Sequence, residues 1–334
     1  MALRRGGWVV SGVDHDEARV ARALELGAID SVGNDPRAEI TFVATPVRSI
    51  AAASKRALAE TSGVVTDVGS VKRAIVEAVN DPRFIGGHPM AGAETDGVDG
   101  ADPDLFSGAV WVLTPGEVTS DETYTYARSV LTELGAEIVS LPPQRHDKLV
   151  AFVSHVPHLT AASLMTIASD QADDRRVMLR LAAGGFRDMT RIASGHPGIW
   201  PDICGENRDE ILSALDQLME TLSSVRRIVA EDDHESLTAL LSGARAARMN
   251  LPARFGRPAQ LMEVLIPIPD EPGVLADVTT RASELDVSIL DLEISHSPEG
   301  QKGVLHLLVE AHRSDELVES LHAYGYKPST RTLV

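Results

Sequence analysis

The stretch Arg83-Phe84-Ile85-Gly86-Gly87-His88-Pro89-Met90-Ala91-Gly92-Ala93-Glu94 sets a histidine between a glycine pair and a proline, with a carboxylate shortly after. A histidine titrates near neutrality and can take or give a proton during a reaction. Pro89 confines His88 to an extended conformation and the glycines let a ligand come close, so the stretch reads as a loop. Alone, such a histidine could equally cap a structural turn, and its meaning depends on partners elsewhere. His146-Asp147 and Ser154-His155-Val156-Pro157-His158 form one cluster, with Pro157 inside an otherwise helical pattern that it should kink. His155 and His158 share a helix face, but a metal reading lacks a third ligand and no metal is expected. Gly184-Gly185-Phe186-Arg187-Asp188-Met189-Thr190-Arg191-Ile192-Ala193 adds two arginines, whose planar donor forks suit a carboxylate. Arg187 could instead pair with Asp188 or Glu206, and the helix start Trp200-Pro201-Asp202 reads as structural.

Alternating strands and helices must position these groups. Trp8 to Asp14, Ile40 to Ala44, Val64 to Val68, Phe84 to Gly86 and Val110 to Leu113 read as strands. Helical spacing runs over Glu17 to Leu26, Ser49 to Glu60 and Lys72 to about Val79. The alternation predicts a Rossmann-like α/β domain over residues 1–140, a parallel sheet with helices on both faces. Ligands of such sheets sit at the carboxyl ends of the strands, here Asp14, Thr45-Pro46, Gly69-Ser70 and His88. An acid such as Asp14 suits ribose hydroxyls and favours NAD over NADP, although it is also a common helix cap. A dinucleotide fold opens with a strand and a G-x-G-x-x-G turn leading into a helix. Met1 to Arg5 reads as the last turn of that helix and Gly6-Gly7 as its exit, so the first strand and the glycine turn are expected upstream of Met1. Over residues 141–256 helices replace strands: His146 to Ser169, Arg175 to Leu181, Asp202 to Val229 and Asp233 to Met249.

The 334 residues are 43% apolar and 24% charged, as in an ordinary soluble protein of two or three domains. A net charge of -18 argues against nucleic acid or an acidic membrane as partner. Cys204 is the sole cysteine, which excludes an intrachain disulfide framework and fits a reducing compartment. Neither a signal segment nor an unbroken run of about 18 apolar residues is read, so a cytoplasmic location is expected.

Asp67-Val68-Gly69-Ser70-Val71-Lys72, Gly87-His88-Pro89-Met90-Ala91-Gly92, Ser154-His155-Val156-Pro157-His158 and Gly185-Phe186-Arg187-Asp188-Met189-Thr190-Arg191 occur in that order. Together, over about residues 1–255, they resemble the prephenate/arogenate dehydrogenase family of tyrosine biosynthesis. The resemblance implies NAD-dependent oxidative decarboxylation of prephenate to 4-hydroxyphenylpyruvate. His88 would be the base and Ser70 would bond the same hydroxyl or orient the histidine. Arg191 would bind a substrate carboxylate, with His158, Gly184 and, more weakly, His146 as further pocket residues and Glu94 as a gate. It also implies a homodimer formed through the helical domain. Arogenate as substrate is the near alternative, and a catalytically silent amino-acid sensor is the distant one. A generic hydroxyacid dehydrogenase would share the first domain but not the later motifs.

After a linker at Pro252 to Pro258, residues 260–334 read as strands Leu261 to Ile268, Val287 to Ser295, Gly303 to Glu310 and Tyr326 to Leu333, with a helix entered at Val274-Leu275 and another over Asp315 to Tyr324. The order β-α-β-β-α-β predicts a ferredoxin-like sandwich. With Asp270-Glu271-Pro272-Gly273 it resembles an ACT domain, which implies an aromatic amino acid effector bound near Asp270, Pro272, Gly273, Val274 and Leu275. A dimerisation module without ligand is the alternative.

Overall fold

A computed structural model describes residues 1–92, 97–170, 182, 184–249, 261–269, 271–296 and 302–332. The chain divides into two compact units, Met1–Ser223 and Ser224–Val334. The regions delimited above at residue 140 therefore share one unit.

In the first unit, helix α1 (Ala2–Arg5) leads to a parallel pair, β1 (Ser11–Gly12) and β2 (Ser31–Val32), separated by α2 (Glu17–Glu25). The main sheet has five strands in chain order: β3 (Ile40–Val43), β4 (Val64–Asp67), β5 (Phe84–Pro89), β6 (Val110–Thr114) and β7 (Glu137–Ser140). Among the described residues, the β1–β2 pair is not hydrogen-bonded to this sheet. Alternation along the strands sends successive residues to opposite faces. Val65 and Phe84 pack with Ile50 and Leu58 of α3 (Val47–Glu60) and Ile75 of α4 (Arg73–Val79). Their neighbours Val64 and Ile85 pack instead with Trp111, Leu113 and Leu131, the last from α5 (Asp121–Glu133).

The sheet departs from the parallel expectation in one place. β5 and β6 are antiparallel, pairing His88 with Val112 and Pro89 with Trp111. A parallel return needs a crossover across the sheet, usually a helix. Among the described residues this connection holds only the 3-10 turn Val98–Gly100. His88 is likewise not in a loop: it lies near the end of β5, which Pro89 closes. Gly86 and Gly87 serve the packing of the sheet. A Cβ on Gly87 would stand 2.5 Å from the Asp67 carbonyl oxygen, and one on Gly86 2.4 Å from Thr114 Oγ1.

A long helical run follows: α6 (Pro143–Val150), a π turn (Ala151–His155) and α7 (Val156–Asp170). Pro157 has no N–H to donate. The chain meets this with the wide turn just before it, closed by the Val156 N–H on the Ala151 carbonyl. Pro143–Ser169 is long and apolar enough by composition to cross a bilayer, at a mean hydropathy of 1.3, yet His146, Asp147 and His155 within it are buried in the unit. The expected helix at Arg175 to Leu181 lies outside the described residues. Then come α8 (Gly184–Thr190), α9 (Trp200–Glu206) and α10 (Arg208–Ala230), the last two parted at Asn207. Val71 packs with Ala151, Val156, Ile203 and Ile211, so the turn after β4 belongs to the helical core.

In the second unit, beyond α11 (His234–Met249), lie β8 (Leu261–Pro269), α12 (Val274–Glu284), β9 (Ile289–His296), β10 (Lys302–Glu310), α13 (Ala311–Ala323) and β11 (Ser329–Thr332). The antiparallel order β11-β8-β10-β9 is that of a ferredoxin-like sandwich. Val264, Ile266, Leu305 and Leu307 meet Val278, Leu317 and Leu321 in its core. The linker expected at 252–258 lies outside the described residues.

Candidate active site

β4 closes on Asp67, whose buried carboxylate accepts the Gly69 N–H at 2.9 Å and the Gly87 N–H at 3.1 Å. These bonds tie the turn that carries Ser70 to the strand that carries His88. Lys72 folds back onto the same carboxylate, and its wholly buried ammonium is ion-paired with Asp67. A buried ammonium persists only when paired. Burial pulls it below the usual lysine range, against the attraction of Asp67.

His88 is only 8% exposed, and its Nδ1 lies 2.8 Å from His146 Nε2. His146 Nδ1 lies 2.7 Å from Asp147 Oδ1. The Asp147 carboxylate also accepts the Lys72 N–H at 2.8 Å and the Arg73 N–H at 2.9 Å, where α4 begins. Its main-chain carbonyl accepts Asn207 Nδ2 at 2.9 Å, and the same amide stands 3.2 Å from His155 Nδ1. Asp147 thus fastens α6 to the start of α4 and to the break before α10. Burial, and then His146, Lys72 and His155, hold His88 well below the ordinary histidine value. Burial likewise pushes His155 down to about 4. His88 is therefore a neutral imidazole at pH 7, the form that can accept a proton.

The other expected residues divide. Ser70 is half-buried in the turn after β4, and among the described residues nothing bonds its hydroxyl. Among the described residues Ser70 makes no hydrogen bond to His88, whose Nδ1 faces His146. His146 was expected to touch substrate. It is wholly buried with both ring nitrogens engaged, so it stands behind His88 and does not line a pocket. His158 stacks on Trp200 at 3.7 Å between ring centroids, while His155 meets the same indole edge-on at 6.1 Å. Trp200, read as structural, is what gathers the two histidines. Arg191 stands exposed on the 3-10 turn Arg191–Ser194, and among the described residues no acid pairs with it. Gly184 is exposed at the start of α8, and Arg187 Nε donates to the Ala182 carbonyl at 3.1 Å. Glu94 and Asp270 lie outside the described residues.

Asp14, Thr45, Pro46 and Gly69 follow the carboxyl ends of β1, β3 and β4. Asp14 is exposed; its Oδ1 accepts the Asp16 N–H at 2.9 Å and lies 3.0 Å from His15 Nδ1, and among the described residues the other oxygen has no partner. That acceptor fits a ribose diol, whose hydroxyls would donate to it, and its negative charge would repel a phosphate in the same place. Among the described residues no group of three His, Cys, Asp or Glu is placed to hold a metal ion.

Strands that end in an exposed acid and a hydroxyl-bearing turn, joined to a helical domain that backs a buried neutral histidine, define an α/β protein of the dinucleotide-binding type. The chain belongs to the prephenate dehydrogenase family: residues 1–140 match its nucleotide-binding domain and residues 142–243 its dimerization domain. It is 31% identical over 335 residues to the prephenate dehydrogenase of Bacillus subtilis, a match spanning 94% of this chain and 90% of that one. Among solved structures, Synechocystis arogenate dehydrogenase is similar at a TM-score of 0.65 and 33% identity, over 74% of this chain and 92% of the other. The prephenate dehydrogenase from A. aeolicus, in complex with hydroxyphenyl propionate and NAD+, is similar at a TM-score of 0.70 and 28% identity, over 75% of this chain and 92% of the other.

Proposed function

We propose that this chain is an NAD-dependent prephenate dehydrogenase that oxidatively decarboxylates prephenate to 4-hydroxyphenylpyruvate in tyrosine biosynthesis. The observation that carries this is His88, buried, engaged at Nδ1 by His146 and, among the described residues, unclaimed at Nε2. Asp14, Thr45, Pro46 and Gly69 would hold NAD, which supplies a hydride acceptor. The substrate's carbinol carbon gives up its hydride as its C–O bond becomes a carbonyl. The bond to the ring carboxylate then breaks, carbon dioxide leaves, and the bonding electrons complete the aromatic ring. His88 accepts the hydroxyl hydrogen bond as charge moves off that oxygen and returns the proton to the forming phenol. Ser70, with no partner among the described residues, steadies the same hydroxyl. His158 and Gly184 complete the pocket and Glu94 gates it.

Arogenate is the second reading, favoured by the Synechocystis relative; there an amine replaces the side-chain keto group and the ring chemistry is unchanged. Following NADH formation with each substrate tests both. No turnover with either leaves the amino-acid sensor as the reading.

Arg191 serves a substrate carboxylate, since its guanidinium has no acid partner among the described residues. Arg191→Ala should raise KM about tenfold or more, with kcat little changed. An unchanged KM refutes the assignment.

The enzyme works as a soluble cytoplasmic homodimer joined through its helical domain. Phe152, Val153, Ile167, Leu212, Met219 and Leu222 present exposed apolar side chains there, as a surface awaiting a second copy would. The domains run 1–140, 141–256 and 260–334, the last an ACT domain that binds an aromatic amino acid. Gly273 supports this: its φ of 97 opens α12 with no side-chain cap, which leaves backbone amides for a carboxylate. Calorimetry on the whole chain should detect heat with tyrosine or a related aromatic amino acid. No heat up to millimolar concentrations makes this domain a dimerisation module.

A further inference from the structure

We propose that His146 and Asp147 are positioning residues that decide which nitrogen of His88 is free to accept a proton. The inference rests on the reading of His88 as the base. An ionised carboxylate has no hydrogen to donate. Asp147 already receives two backbone N–H groups, from Lys72 and Arg73. His146 Nδ1, 2.7 Å away, must therefore carry the hydrogen of that contact. A neutral imidazole protonated at one nitrogen offers a lone pair at the other. That lone pair, on His146 Nε2, faces His88 Nδ1 at 2.8 Å. His88 is thereby protonated at Nδ1, and Nε2 is left bare. The reverse tautomer would set lone pair against lone pair behind the ring and put a hydrogen where the acceptor must be.

An imidazole between carboxylate and base also separates orientation from charge. A carboxylate in direct contact with His88 would favour its protonated form and leave less of it neutral at pH 7. With His146 interposed, direction is transmitted while the negative charge stays at the start of α4. The charged and titratable groups around His88 come from every neighbouring element: Asp67 from β4, Lys72 from the following turn, His146 and Asp147 from α6, and His155 from the π turn. The same carboxylate fixes the Lys72 and Arg73 amides, so the turn bearing Ser70 and the relay behind His88 share one anchor.

The test uses the full chain with 15N-labelled histidine, read by long-range proton–nitrogen NMR without substrate. We expect His88 as the Nδ1–H tautomer in the wild type and a mixture in His146→Leu. In steady-state kinetics, His146→Leu should lower kcat about 100-fold, as misorientation of a reacting group does, with KM within about threefold. His146→Gln should recover most of the loss, because its amide oxygen can take the His88 Nδ1–H. An Nε2–H tautomer at His88 in the wild type overturns the proposal, and so does a Gln variant no better than Leu. If His146→Leu does not fold, the wild-type tautomer still decides, and the Gln variant is set against the wild type, a loss of about 100-fold in its kcat overturning the proposal. Silence with both prephenate and arogenate would defeat the dehydrogenase reading, while an Nδ1–H signal from the same sample would uphold the relay.

Discussion

Replacing His88 by asparagine should reduce kcat by about 10²–10⁴-fold, the range for loss of a positioned general base, while KM stays within about threefold. Asparagine places its amide near the position of Nδ1. It can thus keep a donor toward His146 Nε2 and preserve the buried packing at this point of β5. What it lacks is any acceptor where Nε2 stood, so binding survives and proton transfer does not. The pH profile should carry the same signature. The neutral form of His88 is the active one, and its surroundings hold it well below the ordinary value of 6.5. The acid limb of kcat/KM should lie below that pH, with a plateau through neutrality. Wild-type turnover in His88→Asn, or a wild-type acid limb above 6.5, would contradict the assignment.

The second large effect concerns stability. Lys72→Met should cost about 3–5 kcal/mol, the usual penalty for stranding one member of a buried ion pair. The residue left behind is Asp67, wholly buried at the end of β4. Asp67→Asn added to Lys72→Met removes the stranded charge and should recover part of the loss. Recovery stays partial, because one amide oxygen cannot replace a carboxylate that accepts from both Gly69 and Gly87. Urea unfolding of the single and double variants measures this. A change under about 1 kcal/mol for Lys72→Met would mean that the pair adds nothing to the fold.

Much of the frame was legible in the sequence, and particular residues explain where legibility stopped. Val64-Val65 and Phe84-Ile85 announced buried strands because period-two packing is a local property. The direction of β6 is not local, since Val110 to Leu113 reads the same either way along the sheet. Pro89 suggested a loop, yet it is the last residue of β5, opposite Trp111. The largest omission was Asp147. It stands beside His146, but its partners Lys72 and Arg73 lie 75 and 74 residues away in sequence, and no spacing rule reaches that far. Lys72 likewise stands out in the sequence only as part of a motif. A lysine enclosed by the apolar run Val71 and Ile75-Val76 was the available hint that it is buried.

The π turn ahead of Pro157 has an effect on what changes this chain can tolerate. An α-helix advances about 100° per residue, so one residue more or fewer turns everything beyond it by that angle. Before the turn stand His146 and Asp147, engaged with β5 and α4; at its last residue and beyond it stand His155 and His158, engaged with Trp200. The interval between them therefore works as a phase setting. Its length is held by contacts at both ends, while Phe152 and Val153 inside it face outward and take no part in either set. Substitution there is cheap as far as the catalytic group is concerned. Deleting a single residue would keep a helix and throw the two halves of the site out of register.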